Sequence, residues 1–213
     1  MPPVRRGRFI TFEGGEGTGK STQSARLAER LRLGGHEVVV TREPGGTPGA
    51  EEIRSLLVHG AADRWSPLAE ALLLNAARGD HLDGLIRPAL EAGHWVISDR
   101  FADSTRAYQG AAGRLDPGLI LQLEGAVVGD TRPDLTLVLD LPAELGLERA
   151  AERGGAARFE TKGLAFHQRL RDGYRSLASE EPARCVLVDA DQPVNAVADV
   201  VWSIVEARLR ADL

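Results

Sequence analysis

The chain has 213 residues, 43% of them hydrophobic and 27% charged, enough for one compact domain with a buried core. Its net charge of −5 excludes a protein that coats nucleic acid, because phosphate neutralisation needs a basic surface, although arginines gathered at one cleft can still hold a small anion. Cys185 is the only cysteine, so no intrachain disulfide or cysteine-cluster metal site can form, and no apolar run approaches the roughly 20 residues that span a bilayer.

Residues 1–6 carry charge without a long apolar core after them, unlike a secretory signal, and a cytoplasmic location without membrane partners is expected. The apolar run 8–13 predicts a buried strand, and 23–33 has helical periodicity that brings Ala25, Leu27, Ala28 and Leu31 together. Between them stands Gly14-Gly15-Glu16-Gly17-Thr18-Gly19-Lys20-Ser21, which fits G-x4-G-K-[ST]. Glycines let backbone N–H groups turn onto phosphate oxygens, and the helix N-terminus adds a favourable dipole. Lys20 then reaches the β- and γ-phosphates of a nucleotide, and the Ser21 hydroxyl ligates Mg²⁺. A glycine-rich turn with an incidental lysine is the bland alternative. The strand–loop–helix setting disfavours it, as does the presence of only two lysines in the chain.

Gly34-Gly35 closes the first helix, residues 37–41 predict a second strand, and Arg42-Glu43-Pro44-Gly45-Gly46 leaves it through a turn-rich loop. Helical spacing recurs at 50–57, 67–77, 82–91, 118–128, 144–153, 165–178 and 197–209, with strands at 95–99, 135–141 and 185–189. Pro142 suits the first position of the helix after the fourth strand. This alternation predicts βαβ units, a mainly parallel sheet and a single domain over 1–213. The least regular stretch, 153–162 with Gly154-Gly155, is expected to form a flap. Cys185 reads as a small buried hydrophobe. His36, His59, His81, His94 and His167 lack metal-ligand spacing and are read as surface or loop residues, and Glu180-Glu181 before Pro182 as a solvated helix end.

Ser98-Asp99-Arg100-Phe101 puts an acid–arginine pair at the C-terminal end of the third strand, where α/β sheets bind ligands. Asp99 can organise Mg²⁺ through water and Arg100 can clamp a phosphate bidentately; a strand-end surface salt bridge is the alternative. With these pieces the chain resembles thymidylate kinase over nearly its whole length. The resemblance rests on Phe12-Glu13-Gly14 with the phosphate loop, Thr41-Arg42-Glu43-Pro44-Gly45-Gly46-Thr47, Arg54-Ser55-Leu56-Leu57, Ala76-Ala77-Arg78, Asp99-Arg100-Phe101, Ser104-Thr105, Ala107-Tyr108-Gln109-Gly110, Arg132-Pro133-Asp134-Leu135-Thr136 and Asp189-Ala190.

The resemblance implies transfer of the ATP γ-phosphate to dTMP, a P-loop kinase fold with a five-stranded parallel sheet flanked by helices, a lid at about 149–162, Mg²⁺ dependence and a homodimer. Carried over, Gly14, Gly15, Glu16, Gly17, Thr18, Gly19, Lys20, Ser21 and Thr22 cradle ATP, with Ser21, Glu16 and Asp99 toward Mg²⁺. Arg42 and Arg100 hold the dTMP phosphate with Arg54 as a further partner. Arg78, Thr105 and Gln109 address the base, Tyr108 lies beside the sugar, and Glu16 lies near the 3′-hydroxyl. Leu74 stands where many members carry an aromatic that stacks on thymine, and base–aromatic stacking is worth roughly 1–3 kcal/mol in nucleic-acid systems.

Some members carry an arginine just after the acidic residue of the phosphate loop; this chain has Gly17 there. Phosphoryl transfer needs positive charge around the moving group. The lid is therefore expected to supply it, through Arg153 as the catalytic arginine with Arg149 and Arg158 on ATP. Two rival readings remain at this stage. One is another nucleoside monophosphate kinase or deoxynucleoside kinase, supported by Leu74. The other is a P-loop switch that hydrolyses ATP without an acceptor.

Overall fold

The structure is a computed structural model that describes residues 6–61, 63–152, 154 and 158–213. Strands β1 (Phe9–Glu13), β2 (Val38–Arg42), β3 (Trp95–Asp99), β4 (Leu135–Asp140) and β5 (Cys185–Asp189) form one parallel sheet in the order β2-β3-β1-β4-β5. The helices are α1 (Lys20–Leu33), α2 (Pro48–Val58), α3 (Pro67–His81), α4 (Arg87–Glu91), α5 (Ala102–Thr105), α6 (Pro117–Val128), α7 (Ala143–Glu152), α8 (Leu164–Glu180) and α9 (Val194–Leu209). With β1 central, the loop that leaves it stands between two diverging halves of the sheet, the position at which open α/β sheets take ligands.

The two-residue period of the strands divides the core. On one face Ile10, Phe12, Ile97, Leu135, Leu137 and Leu139 pack against Leu27, Ala28 and Leu31 of α1 and against Val197, Val201, Val205 and Leu209 of α9. On the other, Phe9 and Val96 meet Leu82, Ile86, Leu90, Phe101 and Val128, while Val138 meets Ala107, Tyr108, Leu170 and Tyr174. This second face also carries polar groups, Thr11 and Thr136 with hydroxyls 2.8 Å apart, and the buried Glu13. Cys185 is buried, as expected of a small hydrophobe, and burial pushes its thiol up to about 12.

Helix starts follow local chemistry. Ser66 Oγ accepts from Ala69 N and Asp116 Oδ2 from Leu119 N, each followed by proline at the first helical position. At α2 the cap comes from a distance. Asp80 of α3 accepts from Thr47 Oγ1 at 2.5 Å and from Ala50 N at 3.1 Å, tying the loop after β2 to α3.

Several local expectations are corrected. Pro142 precedes α7 and its carbonyl accepts from Gly146 N, so it caps the helix rather than occupying its first turn. Residues 102–112, for which no element was expected, form α5 and a π segment, Arg106–Ala112. The helices expected at 67–77 and 82–91 run on without a break, joined by a π turn at Leu82–Ile86. His81 and His167 are buried rather than superficial, because each is packed between elements. Glu180 is exposed at the end of α8, whereas Glu181 is partly buried, accepting from Arg106 of the π segment and from Arg184 before β5.

Candidate active site

The loop between β1 and α1 is shaped by its glycines. Gly14 has φ +134°, and a Cβ there would lie 2.4 Å from Leu139 O of β4. Gly17 (φ +66°) would drive a Cβ to 2.1 Å from Gly146 O, and Gly146 in α7 would meet Glu16 O at 2.5 Å. Helix α7 thus rides directly on the loop, an approach only glycine on both sides permits. Gly19 caps α1 with φ +88° and no side-chain acceptor, so the first-turn N–H groups of α1 are available to an anion.

Lys20 Nζ donates to Gly15 O at 2.7 Å and Gly14 O at 3.2 Å. Burial, helped by the Arg100 guanidinium, brings its ammonium down to about 8 against the pull of Asp99, Glu16 and Glu13. Ser21 Oγ donates to Asp99 Oδ2 at 2.5 Å, which joins the start of α1 to the end of β3. This is a pair of hard oxygen donors beside a phosphate cradle, the donor set Mg²⁺ takes when it keeps water and phosphate oxygens as its other ligands. The described residues contain no cluster of three or more His, Cys, Asp or Glu able to cage a metal by themselves.

Arg100 follows β3 in a left-handed conformation, φ +73°, that costs a non-glycine residue on the order of 1 kcal/mol. Glu13 holds that turn from inside. Its Oε1 accepts from Phe101 N (2.7 Å) and Ser104 N (3.2 Å), and its Oε2 from Ser104 Oγ (2.6 Å) and Tyr174 OH (2.9 Å). The Arg100 guanidinium then reaches Gly14 O at 3.0 Å and Glu16 Oε1 at 3.2 Å, and lies 4.9 Å from the centre of the Tyr108 ring. Tyr108 OH donates to the same Glu16 oxygen at 2.6 Å. Burial alone would raise the Glu16 carboxyl; Arg100, Lys20 and the Tyr108 hydroxyl outweigh it and hold it down at about 2.

These groups share a cleft of about 460 Å³. Its lining includes Gly17–Thr22, Asp99 and Arg100 from the sequence expectations, together with Arg42 and Arg54. Arg42 is half exposed and paired with Glu51 at 2.9 Å, and Arg54 donates to Pro44 O at 2.7 Å. Leu74, Arg78, Tyr108 and Gln109 line it too, with Phe101 and Phe159. Tyr108 and Gln109 are neighbours in sequence, and the π segment turns both toward the cleft; such wide turns recur at functional sites.

Arg78 is the largest of the fully buried side chains. Its Nε meets Glu43 Oε2 at 2.8 Å, and its NH2 reaches Phe101 O at 3.1 Å and Thr105 Oγ1 at 3.2 Å. Glu43 Oε1 meets His81 Nδ1, and His81 Nε2 lies 2.7 Å from Thr41 Oγ1. Arg78 and Thr105 therefore come as one bonded unit. That unit stitches the loop after β2 to α3 and α5.

The expected lid arginines divide. Arg149 reaches Ala190 O and Asp191 Oδ1, both at 3.2 Å, at the loop after β5. Arg158 is placed elsewhere than expected. It is buried, donating to Glu70 Oε1 at 2.5 Å, Ala61 O at 2.8 Å and Leu57 O at 3.2 Å, over the connection from α2 to α3. Arg153 and residue 155 of the expected hinge lie outside the described residues. The sequence reading missed Glu13, Glu43, Glu70, His81 and Phe159 as parts of the site. Glu13 and Glu43 lay within quoted motifs without an assigned role, and Glu70 sits in a helix whose spacing carries no signal.

A phosphate loop on a parallel five-stranded sheet, facing a second cluster of arginines across one cleft, defines a P-loop phosphotransferase of the nucleotide kinase type. A family model described as thymidylate kinase matches residues 12–201. The chain is 63% identical over 206 residues to a thymidylate kinase of Caulobacter vibrioides, covering 97% of this chain and 99% of that one. It is 56% identical over 207 residues to one of Bradyrhizobium diazoefficiens, covering 96% and 91%. The crystal structure of thymidylate kinase from Ehrlichia chaffeensis superposes with a TM-score of 0.77 at 37% identity, covering 94% of this chain and 99% of that chain. The chain belongs to the thymidylate kinase family. It is accordingly an enzyme that phosphorylates dTMP with ATP as the phosphate donor. Among the described residues no helix is long and apolar enough to cross a membrane.

Proposed function

We propose that the cleft carries out this transfer with Mg²⁺-ATP on the phosphate loop and dTMP against the arginines that face it. A dTMP phosphate oxygen attacks the γ-phosphorus, the bond to the β-bridging oxygen breaks, ADP leaves with that electron pair, and dTDP forms without a covalent enzyme intermediate. Positioning and charge do the work. Gly14–Thr22 cradle the ATP phosphates, and Lys20 meets the β- and γ-oxygens. Ser21 and Asp99, with Glu16 alongside, would hold Mg²⁺, which would supply charge neutralisation to the phosphates.

Arg100, Arg42 and Arg54 bind the acceptor phosphate. Breaking the Arg42–Glu51 pair to do so is cheap, because an exposed ion pair is worth about 1 kcal/mol or less. Leu74, Arg78, Thr105 and Gln109 address the base, with Tyr108 at the sugar and Glu16 near its 3′-hydroxyl. Phe159 supplies an aromatic wall of the cleft on which a base can rest, offsetting Leu74. Arg149 serves the nucleoside end of ATP, and Arg153 brings the lid's charge to the moving phosphoryl group. The chain works as one domain over 1–213 with its lid at about 149–162, as a cytoplasmic homodimer.

The observation that carries this reading is the convergence of Lys20, Arg42, Arg54 and Arg100 on one cleft. ADP formation with Mg²⁺-ATP should be strong with dTMP and weak with AMP, CMP, GMP and the ribose form of TMP, since Tyr108 crowds the sugar. ADP release that ignores every acceptor would instead mark a switch ATPase and overturn the proposal.

A further inference from the structure

The clearest unassigned constellation outside the phosphate machinery centres on Glu70, a carboxylate of α3 that is 2% exposed. Its Oε1 takes the Arg158 guanidinium at 2.5 Å, and its Oε2 takes Gln109 Nε2 at 2.9 Å. Gln109 is 1% exposed and lines the cleft, whereas Glu70 does not. The other half of the Gln109 amide, Oε1, is buried without a partner among the described residues.

A glutamine amide offers a donor on one branch and an acceptor on the other, and nothing in its shape prefers either orientation. A carboxylate paired with arginine can only accept, so Glu70 commits the amide: N–H₂ to itself, which leaves the carbonyl oxygen as the branch open to another donor. A buried acceptor with nothing to accept from is costly, on the order of 1–3 kcal/mol. That cost is relieved by a ligand bringing an N–H.

We propose that Glu70 is a positioning residue for base selectivity, which orients Gln109 so that the site accepts only a pyrimidine carrying N3–H. The inference rests on the reading that Gln109 faces the base. Thymine and uracil bear a hydrogen on N3. Cytosine has a lone pair there, which would meet the Gln109 oxygen head-on. Glu70 therefore selects against cytosine while remaining indifferent to the methyl group that separates thymine from uracil.

The test compares dTMP, dUMP and dCMP in the wild type, Glu70→Gln and Gln109→Leu, as kcat/KM or, where turnover is too slow, as competitive inhibition against dTMP. A Gln at 70 can accept or donate, so the Gln109 amide loses its imposed orientation. The dTMP:dCMP preference should fall at least about tenfold, with dTMP:dUMP unchanged. A loss of rate shared equally by all three nucleotides would mean that Glu70 only supports the fold, and would overturn the proposal. So would a collapsed dTMP:dCMP preference in Gln109→Leu alongside an unchanged one in Glu70→Gln. If Gln109→Leu itself leaves the preference intact, Gln109 does not face the base, and it is the underlying reading that fails. Should losing the carboxylate beside Arg158 prevent Glu70→Gln from folding, Glu70→Gln with Arg158→Met removes both charges, and the same preferences are read on the double variant.

Discussion

Lys20 and Glu16 set the charge of the cleft between them. The Lys20 ammonium must stay protonated to meet phosphate, and burial has brought it down to about 8. Glu16 at about 2 stays ionised across the working range. The free enzyme's kcat/KM for ATP should consequently decline as pH rises through about 8, and Lys20→Ala should abolish turnover while the circular-dichroism melt stays cooperative. Glu13 is a different case. Burial, then the nearby Asp103, raises its carboxyl to about 7 against the hydrogen bonds and charge of Ser104, Arg100 and Phe101. Because the folded value lies above the ordinary 4.5, the folded state binds the proton more tightly. Its contribution is fully present below pH 4.5 and is lost as pH rises through 7. Glu13→Gln should flatten the dependence of Tm on pH between about 5 and 8, and lower kcat by loosening the Arg100 turn. The sequence pointed to Lys20 and Arg100 because their roles are written in local motifs. It was silent on Glu13's role because that role needs Ser104 and Tyr174, which only the fold brings to it.

Among the elements, α7 is the one whose placement matters most to ATP. The contact of Gly17 with Gly146 seats it on the phosphate loop, so Gly146→Ala should push the two apart, raising KM for ATP and destabilising the protein by about 1–3 kcal/mol, measurable by denaturant unfolding. The same helix leads into the stretch proposed as a lid, where Arg153→Ala should lower kcat at least about 10²-fold with KM for dTMP little changed. A kcat change under threefold would move that role elsewhere. All five strands were legible to within a residue or so, because buried parallel strands are dense in Val, Ile and Leu. The α5–π stretch was not. Ala102-Asp103-Ser104-Thr105 has no apolar periodicity, and its helix is held by tertiary contacts such as Asp103 with Arg184. Tyr108 and Gln109, which line the cleft, could be named from the resemblance, while the π geometry that turns both inward could not be read from spacing.

At the scale of the whole molecule, α3 and α6 pack side by side and expose Leu68, Leu72 and Leu121. A homodimer formed on these helices would cover them. Leu72→Glu with Leu121→Glu should then shift the protein to monomer in analytical ultracentrifugation while the monomer still melts cooperatively; an unchanged sedimentation coefficient would place the dimer surface elsewhere. The far end of the stretch expected to form a lid is bound to the body in a way that charge counting along the chain missed. Arg158 was expected on ATP, and it is held by an acid 88 residues away.

The central place of β1 has one more implication, for the order in which the enzyme can come into being. The loop that holds ATP is encoded within the first 22 residues, yet its first glycine is shaped against the carbonyl of Leu139. A chain emerging from the ribosome therefore carries its nucleotide-binding motif long before it can use it. Gly14 meets Leu139 of β4 and Gly17 meets Gly146 of α7, so the loop reaches its final packing only after both of those later segments have been made.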